Sequence, residues 1–180
     1  MNLPNKLTLL RILLIPIFII MMMINLDNHY LISCLIFIIA SITDALDGHI
    51  ARKNNLVTDF GKFMDPLADK LLVISALICM VESHLVAGWM VIIIVARELT
   101  VSILRAIAAA DGKVIAASGG GKIKTISQMI AIIVLLFGAN YNDPLLLQVG
   151  TIFMIIATFF TLYSGADYLY KNKDLFMNSK

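Results

Sequence analysis

The chain reads as an all-α integral membrane protein, a bundle of six transmembrane helices. Composition, the spacing of the polar breaks and the sign of the charges in those breaks carry this reading. Of 180 residues, 60% are hydrophobic and only 14% are charged, and the mean hydropathy is +0.92. Soluble domains run nearer to about 45–50% apolar and about 25% charged. A soluble chain of this length has no interior large enough to hide so much apolar surface, whereas a bilayer solvates it. A spanning helix takes about 20 residues. Six or seven spans would therefore use nearly the whole chain, and residues 1–180 form a single membrane domain with no room for a soluble one.

Each element follows from an apolar run between polar breaks. The first run, about 8–25, follows a basic start with Lys6 and Arg11. No small-residue cleavage site precedes Asn25, so it reads as a retained helix, not a removed signal. The second, about 30–51, begins after the break 25–29 and ends in acids. The third, about 63–82, opens with acids and turns apolar after Lys70. The fourth, about 86–109, follows the break 82–84 and carries Arg97 and Arg105 among apolar residues. The fifth, about 123–140, follows the break 110–121, and the sixth, about 144–169, follows 140–144. Residues 171–180 form a polar tail outside the membrane. The last third adds length and helix count and no chemical motif.

Charge placement sets orientation through the excess of Lys and Arg in cytoplasmic segments. The N-terminus carries Lys6 and Arg11. The second break carries Arg52, Lys53 and Lys62, the fourth Lys113 with Lys122 and Lys124 just after it, and the tail Lys171, Lys173 and Lys180. The odd-numbered breaks hold Asp27, Glu82 and Asp143 and no Lys or Arg. Both termini are therefore expected in the cytoplasm, which demands an even number of spans and selects six. Cys34 and Cys79 lie singly in apolar runs and read as small packing residues, neither disulfide-bonded nor metal-bound.

Ionisable groups inside a membrane helix are costly and point to function. The second helix ends Asp44-x2-Asp47-Gly48-x2-Ala51-Arg52, and the third opens with Gly61-x3-Asp65-x3-Asp69-Lys70. Spacings of three and four residues put each acidic pair on one helical face. The short break makes the two helices antiparallel neighbours, so four carboxylates can meet near the cytoplasmic surface. Bare carboxylates would repel strongly there. Arg52 and Lys70 offset part of that charge, and divalent cations with a taste for hard oxygen, Mg²⁺ or Mn²⁺, would offset it better. Gly48 leaves the backbone bare beside Asp47 for close approach of a ligand. For a single acid the plainer reading is an internal ion pair that ties helices together. Four Asp within 26 residues on adjacent helices favour a site.

The string Asp-x2-Asp-Gly-x2-Ala-Arg-x8-Gly-x3-Asp-x3-Asp resembles the signature of the CDP-alcohol phosphotransferase family at every fixed position from residue 44 to 69. The start Leu3-Pro4-Asn5-x-Leu7-Thr8-x2-Arg11, with Pro16 after it, is similar to that of bacterial phosphatidylglycerophosphate synthases. So are Ala96-Arg97-Glu98 and Gly121-Lys122-Ile-Lys124-Thr125-x2-Gln128. Together these cover most of the chain to about residue 128.

The resemblance implies a six-helix fold of the CDP-alcohol phosphotransferase type, usually a homodimer, with a polar cavity open to the cytoplasm. The implied reaction displaces CMP from CDP-diacylglycerol by sn-glycerol 3-phosphate. By the same resemblance Asp44, Asp47, Asp65 and Asp69 hold two divalent metals, and Asp69 takes the proton of the acceptor hydroxyl. Gly48, Ala51 and Gly61 line the nucleotide pocket, with Asn5, Thr8 and Arg52 as further contacts of the CDP-lipid. An anionic acceptor calls for cations, which Arg97, Arg105, Lys122 and Lys124 supply. Arg97 and Arg105 are eight apart and share a helical face, and arginine suits bidentate phosphate contact. Lys122 and Lys124 also have a plainer reading as topogenic charges. No nucleic acid is expected as a partner; the partners are the two substrates and membrane lipids. Two other readings compete. One keeps the chemistry with phosphatidylglycerol, serine or inositol phosphate as acceptor. The other makes the acids the path of a divalent-cation transporter, for which inverted repeats and acids near the midplane would be expected; the chain shows no repeat.

Overall fold

A computed structural model describes the backbone of residues 3–53, 59–110 and 119–172, and within them the side chains of 5–44, 64–65, 67–109 and 120–172. Six α-helices account for nearly all of these residues: α1 (Leu3–Met23), α2 (His29–Lys53), α3 (Asp59–Glu82), α4 (Gly88–Ala110), α5 (Gly119–Tyr141) and α6 (Pro144–Lys171). Several begin earlier than the apolar runs suggest. α1 starts at Leu3, before the expected 8, and α5 at Gly119, before 123. In both, the added turn is polar. It lies against other helices, so apolarity does not mark its start.

The helices contact one another in the cyclic order α1, α2, α5, α6, α4, α3, with α3 returning to α1. α2 and α3 also touch directly. Such a ring gives each helix at least two neighbours, an inner face and an outer face. The inner faces of one half build an apolar core that includes Phe18, Phe37, Leu77, Met80, Ile94, Leu135 and Met154. The outer faces stay apolar: Leu13, Ile39, Ile78, Ile92, Ile126 and Phe159 are all exposed. A surface of this kind on every helix suits a lipid environment, where nothing drives these side chains inward.

Three helical segments, Asn5–Met23, Gly120–Tyr141 and Pro144–Lys171, are long and apolar enough to cross a membrane by length and composition. α2, α3 and α4 are of similar length, but they carry the charged residues of the candidate site.

The end of the bundle away from the acids is tied by short polar turns. Asn28, His84 and Asn142 adopt positive φ of 60°, 58° and 50°, the left-handed region in which short polar residues are least strained. Asp143 caps α6 by accepting from the N–H of Leu145 and Leu146, with Pro144 in the first turn. Asn140 accepts from the N–H of Leu31 and donates to Asn28, which joins the end of α5 to the start of α2. α5 and α6 pack closest because glycines face them. A Cβ on Gly150 would lie 2.6 Å from Leu135 Cγ, and one on Gly138 would lie 2.9 Å from Leu146 Cβ.

Candidate active site

One face of α1 is polar at its first turns. Asn5, Thr8 and Arg11 recur every three residues and are all buried, because that face turns toward α2 and α3. Thr8 Oγ1 donates to Asp65 Oδ1 of α3 at 2.6 Å. Arg11, fully buried, pairs with Asp44 of α2 at 2.5 Å. Asp44 of α2 and Asp65 of α3 are thus both held against neighbouring residues of α1. Arg11 also plays a part that its sequence position hides: among flanking charges it reads as topogenic, yet it sits inside the bundle against an acid of the signature.

Asp47, Gly48, Ala51 and Arg52 lie in the last turns of α2 and Gly61 in the first turn of α3; their side chains are outside the described residues. Among the described residues no three His, Cys, Asp or Glu side chains are close enough to form a metal site. The acids described around α1 and in the nearby cavity, Asp44, Asp65 and Asp69, offer only carboxylate oxygen. That donor chemistry fits a hard divalent cation.

Four residues past Asp65 on the same face of α3, Asp69 lines a cavity enclosed by α3, α4 and α5. The polar lining of the cavity is Asp69 and Lys70 from α3, Glu98 from α4, and Lys124, Thr125 and Gln128 from α5. Val73, Ile74, Ile94 and Met129 close it on the apolar side. α3 and α5 lie across the ring from each other, so this space is interior to the bundle.

Lys124 is nearly buried, and its Nζ donates to Glu98 Oε1 at 2.7 Å. The same oxygen accepts from Arg97 Nη1 at 2.9 Å. Arg97 Nη2 donates to Ser164 of α6 at 3.1 Å. Gly165 leaves room for this arginine, since a Cβ there would lie 3.1 Å from Arg97 Cγ. The Arg105 guanidinium stands over the Tyr168 ring, 5.7 Å from its centroid. Arg97 and Arg105 therefore do share a face of α4, and that face leans on α6. Of the four cations expected to meet an anionic acceptor, Lys124 lines the cavity, Arg97 reaches it through Glu98, and Arg105 and Lys122 do not line it.

Gln128, one turn beyond Lys124 on α5, is 1% exposed, and neither its amide oxygen nor its amide nitrogen has a hydrogen-bond partner among the described residues. Leaving a buried polar group unpaired costs on the order of 1–3 kcal/mol. Sequence reasoning gives Ser164 no role, names Gln128 only as a member of a family-like motif, and reads Glu98 as the neighbour that neutralises Arg97, a pair the structure shows. The available signals were a Ser-Gly pair in an otherwise apolar helix and a Gln at i+4 from Lys124.

The family model described as CDP-alcohol phosphatidyltransferase matches residues 1–163. This chain belongs to that family. The match spans all four acids of the signature and most of α6. Curated relatives agree over nearly the whole chain. A CDP-diacylglycerol–glycerol-3-phosphate 3-phosphatidyltransferase of Bacillus subtilis (strain 168) is 47% identical over 183 aligned positions, covering 95% of each protein. One of Rickettsia typhi is 42% identical over 97% of this chain and 99% of its own length. Another, of Haemophilus influenzae, is 40% identical over 93% and 91%. The family is membrane-embedded and helical, in keeping with the six helices and their apolar outer faces.

Proposed function

We propose that the chain transfers the phosphatidyl group of CDP-diacylglycerol to sn-glycerol 3-phosphate, forming phosphatidylglycerol phosphate and CMP. The observation that carries this reading is the cavity that holds Asp69 and Lys124 together. It pairs a carboxylate able to accept a proton with a cation suited to a phosphate, and the relatives named above bear this activity in their names.

In this reading the CDP-lipid lies along the acids at the ends of α2 and α3. Gly48, Ala51 and Gly61 make way for the nucleotide, and Asn5, Thr8 and Arg52 contact it. Asp44, Asp47, Asp65 and Asp69 would hold two divalent cations, Mg²⁺ or Mn²⁺, which when bound would neutralise the pyrophosphate and the departing CMP. Arg11 and Thr8 orient Asp44 and Asp65 for that task. The acceptor enters the cavity with its phosphate toward Lys124, which keeps Glu98 on one N–H and has two more to offer. Arg97, Arg105 and Lys122 add positive potential around the entrance. Asp69 takes the proton from the primary hydroxyl as its oxygen bonds to the lipid-bearing phosphorus. The bond from that phosphorus to the CMP oxygen breaks, and the pair leaves with CMP. The apolar wall of Val73, Ile74 and Ile94 limits water as a competing nucleophile. The site faces the cytoplasm, with both termini on that side, and the family's usual homodimer is the expected assembly.

The test is transfer by the purified protein in detergent, with CDP-diacylglycerol, sn-glycerol 3-phosphate and Mg²⁺ or Mn²⁺. CMP release and lipid product should require both the acceptor and the metal. Release with serine, inositol phosphate or phosphatidylglycerol, but not with sn-glycerol 3-phosphate, would keep the chemistry and overturn the acceptor. Metal binding without transfer to any alcohol would overturn the enzyme reading in favour of ion transport.

A further inference from the structure

Gln128 lines the cavity yet has no part in the proton transfer or the phosphate neutralisation described above. Its side chain is enclosed, and both amide atoms are without partners among the described residues. It follows Lys124 by one helical turn, and the two share the cavity with Asp69. An amide carries no charge and presents one donor group and one acceptor side by side. A phosphate is matched better by Lys124 and a metal by the carboxylates. The group that an amide matches is a hydroxyl, which also donates and accepts. The acceptor has two of them: the primary hydroxyl that reacts at Asp69, and the secondary hydroxyl between it and the phosphate.

We propose that Gln128 determines acceptor specificity by binding the secondary hydroxyl of sn-glycerol 3-phosphate, its Oε1 accepting from that hydroxyl and its Nε2 donating to it. The proposal rests on the acceptor reading of the cavity given above. It follows that the enzyme selects a phosphorylated polyol over a phosphorylated alcohol that lacks the middle hydroxyl. A site built to bond a hydroxyl discriminates against the analogue without it, because the buried amide is then left unpaired.

The experiment compares kcat/KM for sn-glycerol 3-phosphate and for 3-hydroxypropyl phosphate, which keeps the phosphate and the primary hydroxyl and lacks the secondary one. Wild type, Gln128→Met and Gln128→Asn are assayed in detergent with CDP-diacylglycerol and Mg²⁺. Wild type should prefer sn-glycerol 3-phosphate by about 10- to 100-fold. Gln128→Met, of similar size, should erase that preference by losing rate with sn-glycerol 3-phosphate alone. Its kcat/KM with 3-hydroxypropyl phosphate and its KM for CDP-diacylglycerol should stay within about twofold of wild type. Gln128→Asn keeps the amide but withdraws it by one methylene, and should lose part of the preference even if the Met variant does not fold. Equal use of both acceptors by wild type, an equal loss on both in Gln128→Met, or an intact preference in Gln128→Asn would each overturn the proposal. Transfer to neither phosphate-bearing acceptor by a wild type that still releases CMP to another alcohol would overturn the acceptor reading itself, a result distinct from the failure of Gln128 alone.

Discussion

Glu98 receives Lys124 and Arg97 on one carboxylate oxygen, at 2.7 and 2.9 Å, and is only 18% exposed. Two cations on one anion leave a net positive charge beside Asp69, which is what an anionic acceptor needs. Removing the carboxylate charge leaves two enclosed cations uncompensated, and breaking a buried pair in this way costs about 3–5 kcal/mol. Glu98→Gln should therefore lower the thermal unfolding midpoint in detergent clearly below that of wild type; an unchanged midpoint would show the pair to be dispensable for the fold. Lys124→Met should raise KM for sn-glycerol 3-phosphate by about tenfold or more and leave KM for CDP-diacylglycerol near wild type. Asp69→Asn keeps shape and loses basicity, so kcat should fall by about 10²–10⁴, measured as CMP release at saturating substrates.

α6 illustrates how an element without chemical motif can serve a site. Its apolar outer face has no partner among the described residues, while Ser164, Gly165 and Tyr168 meet the two arginines of α4. The helix reaches that position because Gly138 and Gly150 let it lie close on α5. Gly150→Leu would drive a side chain into Leu135, whose Cγ would already be 2.6 Å from a Cβ. Overpacking of this kind costs about 1–3 kcal/mol. The variant should unfold at lower temperature and lose acceptor affinity together, because Arg97 moves with α6. Gly150→Leu with wild-type stability would mean that the α5–α6 contact is looser than the geometry implies.

For the molecule as a whole, orientation is the open property that the charge pattern addresses. Lys and Arg gather at the end with the acids, and the opposite turns carry Asp27, Glu82 and Asp143. With Cys34 and Cys79 replaced by Ala, a membrane-impermeant thiol reagent on intact cells should label Asp27→Cys at once. It should reach Lys171→Cys only after permeabilisation. The reverse pattern would place the acids outside the cell and overturn the cytoplasmic site.

Helix number and type were legible in the chain because a bilayer imposes a length of about 20 residues and an apolar composition on each span, and polar breaks interrupt the runs at that interval. The acids were legible for the related reason that charge in a membrane helix is costly and must have a use. Helix starts were less so: polar first turns such as Asn5, Thr8 and Arg11 are buried by neighbours that no local pattern names. Nor could spacing alone say which cation meets which anion. Arg97 and Arg105 share a face by their eight-residue interval, but only the ring order of the helices turns that face to α6 and leaves Lys124 to line the cavity. The sequence by itself determined six apolar helices, their acidic signature and the end of the bundle where it lies, since these follow from solvent and period. Tertiary structure alone decided that Arg11 holds Asp44 and that Glu98 also takes Lys124, because both depend on contacts between residues far apart in the chain, and it decided that the Gln128 amide finds no partner among the described residues, because that depends on which side chains enclose it.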